Sequence, residues 1–152
     1  MVMNFIFGLF SPIAVLLLGS LVMPLQAAEL QTVNPEQLQQ ARQNGNVLVV
    51  DIRTAPEWQS SGVIPNSVKL QAYDKDGQFD QDRWLNDLQK LKTSPDQTVV
   101  LVCRSGNRSG KLGQLLTQQL GIEHVQHLNG GMQSWIKSGL PVVPDCPENR
   151  CQ

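Results

Sequence analysis

The sequence predicts an α/β domain with a largely parallel central sheet flanked by helices. Residues 47–51 and 99–102 form short apolar runs rich in β-branched side chains, which are typical of buried strands. Apolar residues recur at helical spacing in residues 80–91 and 112–120, so strands and helices alternate along the chain. This alternation favours a parallel sheet, whose functional loops are expected at the carboxyl ends of the strands.

Length and charge limit the domain organisation and the classes of partner. The chain has 152 residues and a formal net charge of −1. Residues 1–28 resemble a targeting segment without charged residues, which leaves about 124 residues for one domain with a single core. A net charge this close to zero predicts no nucleic-acid partner. We therefore divide the chain into residues 1–28, a domain of residues 29–143 and a tail of residues 144–152.

The N-terminal segment predicts export. Residues 5–22 are mostly apolar, and the small residues Ala27 and Ala28 precede Glu29, the first charged residue. This pattern is typical of a cleaved signal peptide, which would make the protein periplasmic or secreted and its mature form free of the membrane. The alternative is an uncleaved membrane anchor, since no lysine or arginine precedes the apolar run and its length is near the minimum for a span. The interrupting Pro12 and the two alanines favour cleavage.

The first part of the domain predicts a helix, a strand and a second helix. Asn34 is a favourable N-cap residue, Pro35 suits the first helical position, and Gly45 follows the end of the helix. The buried strand of residues 47–51 comes next. It leads into residues 51–58, which are typical of a strand end followed by a helix with acidic residues in its first turn.

The middle of the chain predicts a strand, a turn and a third helix. Residues 67–70 are expected to form a short strand, and residues 74–77 have the composition of a turn. Residues 80–91 follow with helical spacing. Trp84 lies on their apolar face, so we expect it to pack in the core rather than to bind a ligand.

The strand–turn–helix segment of residues 98–110 is the organising feature of the sequence. Cys103 follows the strand directly. Two arginines and two glycines come soon after it: Arg104, Gly106, Arg108 and Gly110. The start of a helix presents free N–H groups and the positive end of the helix dipole, which favour an anion. The glycines allow the backbone to approach closely, so we expect a stabilised thiolate at Cys103 inside an anion-binding cradle rather than a core cysteine.

This segment resembles the active loop of the rhodanese family of sulfurtransferases, which begins with cysteine and spans six residues. The corresponding residues are Cys103, Arg104, Ser105, Gly106, Asn107 and Arg108. Residues 51–67 and 129–141 extend the resemblance to nearly all of residues 30–143. The first of these segments has the family's acidic, basic and aromatic positions: Asp51, Arg53, Glu57 and Trp58. The second has a Gly-Gly turn, a tryptophan at position 135 that is expected to pack, and a Gly-x-Pro sequence.

The resemblance implies the rhodanese fold and transfer of sulfane sulfur by a thiosulfate sulfurtransferase. Cys103 would attack the outer sulfur of a small anionic donor, thiosulfate, and carry that sulfur as a persulfide to cyanide or a thiol acceptor. Residues 104–108 would bind the substrate. Supporting roles fall to Asp51, Arg53 and Ser109, with Asp51 positioning the loop by pairing with an arginine. This chemistry needs no metal and no organic cofactor.

Two other functions stay open at this point. One is a carrier or binding module that delivers a persulfide to a partner protein without rapid turnover. The other is a cysteine phosphatase or an arsenate reductase. Phosphatases, including those of the same fold, place five residues between cysteine and arginine, whereas four residues separate Cys103 from Arg108. A metal site at His124 and His127 is not expected, because residues three apart in a strand point to opposite faces.

The tail of residues 144–152 lies outside the family pattern. It holds Cys146 and Cys151, which are the closest pair among the chain's three cysteines. We expect these two to form a disulfide, which leaves Cys103 free for chemistry. The alternative is that a tail thiol resolves a persulfide on Cys103. With the disulfide, little of the core is expected to depend on the tail.

Overall fold

The computed structural model describes residues 29–152, in which strands and helices alternate. The strands are β1 (Gln31–Val33), β2 (Val47–Asp51), β3 (Val68–Lys69), β4 (Thr98–Val102) and β5 (Val125–Leu128). The α-helices are α1 (Pro35–Gln43), α2 (Ala55–Ser61), α3 (Gln81–Leu91), α4 (Asn107–Gln114) and α5 (Gly131–Lys137). The strands pair in the order β1-β5-β4-β2-β3, and every neighbouring pair is parallel. The prediction of an α/β domain with a parallel sheet flanked by helices is confirmed.

The expected export segment, residues 1–28, lies outside the described residues. Neither the signal peptide nor the alternative membrane anchor is therefore addressed by the fold. Within residues 29–152, no helix is both long enough and apolar enough to cross a membrane.

The expected helix starts agree with the structure. Asn34 caps α1 in a reciprocal arrangement: its side chain accepts the N–H of Gln37 at 2.8 Å, and the Gln37 side chain accepts the N–H of Asn34 at 2.9 Å. Asp80 caps α3 by accepting the N–H of Arg83 at 3.1 Å. Trp84, in the first turn of α3, is 3% exposed and packs in the core as predicted.

Helices cover both faces of the sheet, because alternate residues of each strand point to opposite sides. On one face, Leu101 of β4 belongs to a buried cluster with Trp84 of α3 and with side chains of α4. On the other face, Val102 belongs to a second cluster with Leu38 of α1 and Trp135 of α5. Burying a side chain of this size contributes about 1.5–3 kcal/mol, so the two clusters fix both layers of helices and the loops between them.

Two local features differ from the sequence-based expectation. The short strand β1, which pairs with β5, is not predicted by the residue pattern. The helix expected over residues 112–120 changes into a π-helical turn at Leu115–Gln119, where the N–H of Leu120 bonds to the carbonyl of Leu115 at 3.1 Å. Leu120, the last apolar residue of the stretch with helical spacing, follows this turn and is 37% exposed, so it lies outside the buried core.

The tail of residues 144–152 runs along the outer edge of β3. Cys146 and Cys151 form a disulfide, and Cys151 is 3% exposed. Lys69 of β3 donates its backbone N–H to the carbonyl of Asn149 at 2.8 Å, and its ammonium group pairs with Asp145 at 2.5 Å. The tail thus pairs with the sheet edge, a contact that the sequence did not predict; that little of the core depends on the tail stays a prediction.

Candidate active site

Cys103 lies directly after β4 and is 1% exposed. Its Sγ accepts three hydrogen bonds: the N–H of Gly106 at 3.1 Å, the N–H of Ser109 at 3.4 Å and the hydroxyl of Ser109 at 3.3 Å. Gly106, the N-cap of α4, has a φ of +90°, which suits glycine and strains residues with a Cβ. Three hydrogen-bond donors, from the loop and the first turn of α4, thus converge on one sulfur. The stabilised thiolate and the binding of an anion here stay predictions.

The N-terminus of α5 holds the backbone of the same loop. The N–H of Met132 bonds to the carbonyl of Cys103 at 2.8 Å, and the N–H of Gln133 bonds to the carbonyl of Arg104 at 3.0 Å. Gly131 has a φ of +57°, and a Cβ at this position would lie 2.2 Å from the carbonyl oxygen of Cys103. The close approach of α5 to the loop therefore requires glycine here.

Arg108 is engaged by an acidic residue of α2. Its guanidinium contacts both carboxylate oxygens of Glu57, at 2.5 and 3.0 Å. Glu57 also accepts the N–H and the hydroxyl of Thr54, both at 3.0 Å. Partial burial raises the pKa of Glu57, but the hydrogen bonds from Arg108 and Thr54 outweigh it and lower that pKa to about 2. Glu57 therefore competes with a bound anion for Arg108, because its carboxylate already pairs with the positive guanidinium.

Asp51 pairs with Arg53 rather than with an arginine of the active loop. Arg53 is 1% exposed and contacts the Asp51 carboxylate through Nε at 2.9 Å and Nη2 at 2.7 Å. It also donates to the carbonyl of Gly62 at 2.7 Å and to the hydroxyl of Ser61 at 2.6 Å. These hydrogen bonds hold the C-terminal end of α2 against the buried pair at the end of β2. The supporting role of Asp51 and Arg53 stays a prediction, and their contacts are with α2, which carries Glu57.

The remaining loop residues face solvent. Ser105 and Asn107 are exposed, and so is Arg104, which has no ion-pair partner among residues 29–152. Arg104 lies at a cavity of about 370 Å³ between α2 and α5. The cavity is also lined by Arg53, Glu57, Ser60, Ser61, Met132, Gln133 and Ile136. Arg104 is thus the loop arginine whose charge is available to a ligand.

The two histidines do not lie in a metal-binding cluster. Among the described residues, no group of three or more histidine, cysteine or acidic side chains could hold a metal ion. His124 is exposed just before β5, with a φ of +58°. His127 of β5 lies 3.1 Å from the hydroxyl of Thr32 and 3.5 Å from that of Ser109.

Sequence reasoning missed three contributors to the site. The pairing of Glu57 with Arg108, the contact of Gly131 with the loop and the approach of His127 to Ser109 all join segments that are distant in sequence. The Gly-Gly turn in the sequence was a signal for the contact of Gly131 with the loop. The sequence carries no signal for the contacts of Glu57 and His127, because their geometry depends on how α2 and β5 lie beside α4.

Comparison with known proteins identifies the family. Residues 34–138 match the model of the Rhodanese-like domain. An uncharacterized protein of Synechocystis, slr1261, is 35% identical over 113 residues, which are 74% of this chain and 55% of that protein. The thiosulfate sulfurtransferase GlpE of Pseudomonas savastanoi is 34% identical over 107 residues, which are 70% of this chain and 88% of that enzyme.

A solved structure agrees with these matches. The rhodanese-related protein of Thermoplasma volcanium superposes with a TM-score of 0.57 at 28% identity, over 76% of this chain and 99% of that protein. The fold, the six-residue cysteine loop and the family match cover the same part of the sequence. The chain belongs to the rhodanese-like family.

Proposed function

We propose that the protein is a sulfurtransferase that moves sulfane sulfur from thiosulfate to cyanide or a thiol through a persulfide on Cys103. One observation carries the proposal: three donors converge on the Sγ of Cys103 at the end of β4. A sulfur held in this way is prepared to be both a nucleophile and a leaving group. Similarity to an enzyme named as a thiosulfate sulfurtransferase supports the choice of donor.

In the first step, the Cys103 thiolate attacks the outer sulfur of thiosulfate. The S–S bond of the donor breaks, sulfite leaves with the electron pair, and Cys103 becomes a persulfide. Arg104 supplies a positive charge at the cavity mouth, where the donor and the departing sulfite carry negative charge. The loop N–H groups surround the reacting sulfur, as the donors of an oxyanion hole surround a developing charge.

In the second step, the acceptor attacks the outer sulfur of the persulfide. Cyanide leaves as thiocyanate, and a thiolate acceptor leaves as a new persulfide. Cys103 departs as a thiolate, so the same three hydrogen bonds that activate it also stabilise it as a leaving group. Each half of the cycle therefore uses the same cradle, which is the pattern of two-step covalent catalysis.

The test is the Cys103→Ser variant, which keeps the loop nearly isosteric and removes the nucleophile. Wild-type protein treated with thiosulfate should gain one sulfur atom by mass spectrometry and should form thiocyanate when cyanide is added. The variant should do neither while keeping its melting temperature. Appreciable thiocyanate formation by the variant would refute the assignment of Cys103 as the nucleophile. Stoichiometric sulfur loading of the wild type without turnover would instead support the persulfide carrier.

We also propose that the protein works outside the cytoplasm. The support is the apolar segment of residues 5–22 together with the disulfide between Cys146 and Cys151, a bond that persists in oxidising compartments. N-terminal sequencing of protein from its native compartment should give a start near Ala28 or Glu29. An intact Met1 in a membrane fraction would favour the anchor instead.

A further inference from the structure

A continuous line of polar atoms connects the reactive sulfur to a histidine that the mechanism above does not use. The hydroxyl of Ser109 lies 3.3 Å from the Sγ of Cys103 and 3.5 Å from Nδ1 of His127. On the other side of the imidazole, Nε2 lies 3.1 Å from the hydroxyl of Thr32. When Nε2 carries the proton and donates to Thr32, the lone pair of Nδ1 faces Ser109.

A glycine in α4 allows the imidazole to reach this position. Gly110 is helical, and a Cβ built on it would lie 3.3 Å from Cε1 of His127 and 3.7 Å from Nδ1. Glycine is less favourable than alanine inside a helix. Glycine at position 110 therefore makes room for the histidine ring at some cost in helix stability. Gly110 was expected to allow close approach of the loop backbone, whereas it lies in α4 against the imidazole ring.

The histidine also has a route to solvent that is separate from the cavity at Arg104. His127 lines a second cavity, of about 500 Å³, together with Thr32, Gly110, Lys111 and the active-loop residues Gly106 and Asn107. The two cavities have no lining residue in common. A proton that reaches His127 can therefore exchange with water through this second cavity.

We propose that Ser109 and His127 form a proton relay that ionises Cys103, with Ser109 as the bridge and His127 as the base. The inference rests on the proposed function, because it concerns how a protonated Cys103 becomes the thiolate that attacks the donor. The S–H bond of Cys103 breaks as its proton moves to Oγ of Ser109, and the serine's own proton moves to Nδ1 of His127. The products are a thiolate, a neutral serine and an imidazolium, so no further reactant is required.

The surroundings of both ends are compatible with this transfer. Burial lowers the pKa of His127, which keeps the resting ring neutral and favours passage of an accepted proton to solvent. Two residues of opposite charge share the ring's cavity, Glu29 near β1 and Lys111 on α4. The charged or titratable groups near Cys103 are Arg108 and Tyr73. Burial raises the pKa of Tyr73, and the hydrogen bond with Glu57 raises the pKa of Arg108. The carbonyl of Gly106, 3.1 Å from the Ser109 hydroxyl, competes for the same proton.

The test measures alkylation of Cys103 by iodoacetamide between about pH 5 and pH 9, which requires no sulfur donor. His127→Asn should move the midpoint of the pH–rate profile upward by about one pH unit, which makes alkylation about tenfold slower below the midpoint. The matched control is His124→Asn. It removes an exposed histidine three residues away, at a φ of +58° that asparagine tolerates, and should leave the profile unchanged.

Two further variants separate a relay from a structural role. Ser109→Ala should shift the profile at least as far as His127→Asn, because it removes a donor to the sulfur as well as the bridge. Adding His127→Asn to Ser109→Ala should shift the profile no further, because the path is already broken. Gly110→Ala keeps the histidine but crowds its ring, so it should shift the profile in the same direction without lowering the melting temperature. Superimposable profiles for wild type, His127→Asn and Gly110→Ala would overturn the relay. Normal alkylation with no sulfur loading from thiosulfate would instead overturn the proposed function.

Discussion

Substitution of Gly131 tests how strongly the active loop depends on α5. Gly131 has a φ of +57°, and its Cα faces the carbonyl of Cys103 so closely that an added Cβ would lie 2.2 Å from that oxygen. The next two residues, Met132 and Gln133, donate their N–H groups to the carbonyls of Cys103 and Arg104. In a Gly131→Ala variant, the helix and the loop must separate, because the atoms that the added Cβ would meet are backbone atoms of the loop.

The expected magnitude follows from two costs. A positive φ costs alanine about 1–2 kcal/mol relative to glycine. Relief of the clash requires a movement of about 1 Å, and overpacking of this kind typically costs about 1–3 kcal/mol. Gly131→Ala should therefore lower the free energy of unfolding by about 2–5 kcal/mol. A displacement of about 1 Å at a reacting group can also cost about a hundredfold in rate.

The matched control is Gly139→Ala, because Gly139 has a φ of +69° with no atom within 4 Å of the added Cβ. Urea unfolding should show a loss of about 1–2 kcal/mol for the control, from the positive φ alone. Thiocyanate formation should be normal in the control and about a hundredfold slower in Gly131→Ala. Equal stability and equal activity of the two variants would refute the reasoning that α5 holds the loop in place.

Three further predictions follow from the charges and the tail. Arg104→Ala should lower kcat/KM for thiosulfate at least about tenfold, the effect of one lost charge-assisted hydrogen bond, and should spare an uncharged alkyl persulfide; equal losses would mean that the side chain only shapes the loop. Because the pKa of Glu57 falls from its ordinary 4.5 to about 2 on folding, its pair with Arg108 stabilises the fold above the ordinary pKa and is lost as the pH falls towards 2. The stability difference between wild type and Glu57→Gln should therefore shrink between pH 4.5 and pH 2 in unfolding experiments, and a constant difference would contradict it. Replacing Cys146 and Cys151 by serine should cost about 2–3 kcal/mol and speed amide exchange along β3 while sparing activity; unchanged exchange would mean that the tail is held without the disulfide.

Local patterns were sufficient for most of the fold. The strands β2 and β4 are apolar runs buried on both faces. Such runs in alternation with helices are compatible with few folds other than a parallel sheet covered by helices. Helix α1 was predictable because its start depends on side chains and backbone within three residues, at Asn34 and Gln37. The cradle around Cys103 was predictable for the same reason, since its donors, Gly106 and Ser109, follow within six residues.

The features that were not predicted depend on contacts between distant segments. Strand β1 has three residues and forms only because β5 offers an edge. The pairing of the tail with β3, which lies far away in sequence, was also not predicted. The engagement of Arg108 by Glu57 spans 51 positions and depends on the placement of α2 by the buried pair of Asp51 and Arg53. No periodicity in the sequence contains this information, because it is set by the packing of the elements.

The local contacts around Cys103 and the distant contact between Glu57 and Arg108 act differently on a sulfur donor. The groups that hold the sulfur are two N–H groups and a hydroxyl, which have no net charge and act only at short range. Of the two loop arginines, Arg108 is paired with Glu57, so Arg104 alone adds an uncompensated charge at the cavity. In the proposed mechanism, long-range attraction for a dianion such as thiosulfate then depends on one exposed side chain, where solvent screening keeps it modest. In the same mechanism, the activation of Cys103 depends on buried dipoles that solvent does not screen. Reactivity and donor preference are therefore separable in this site, and substitutions at Arg104 should alter the second without the first.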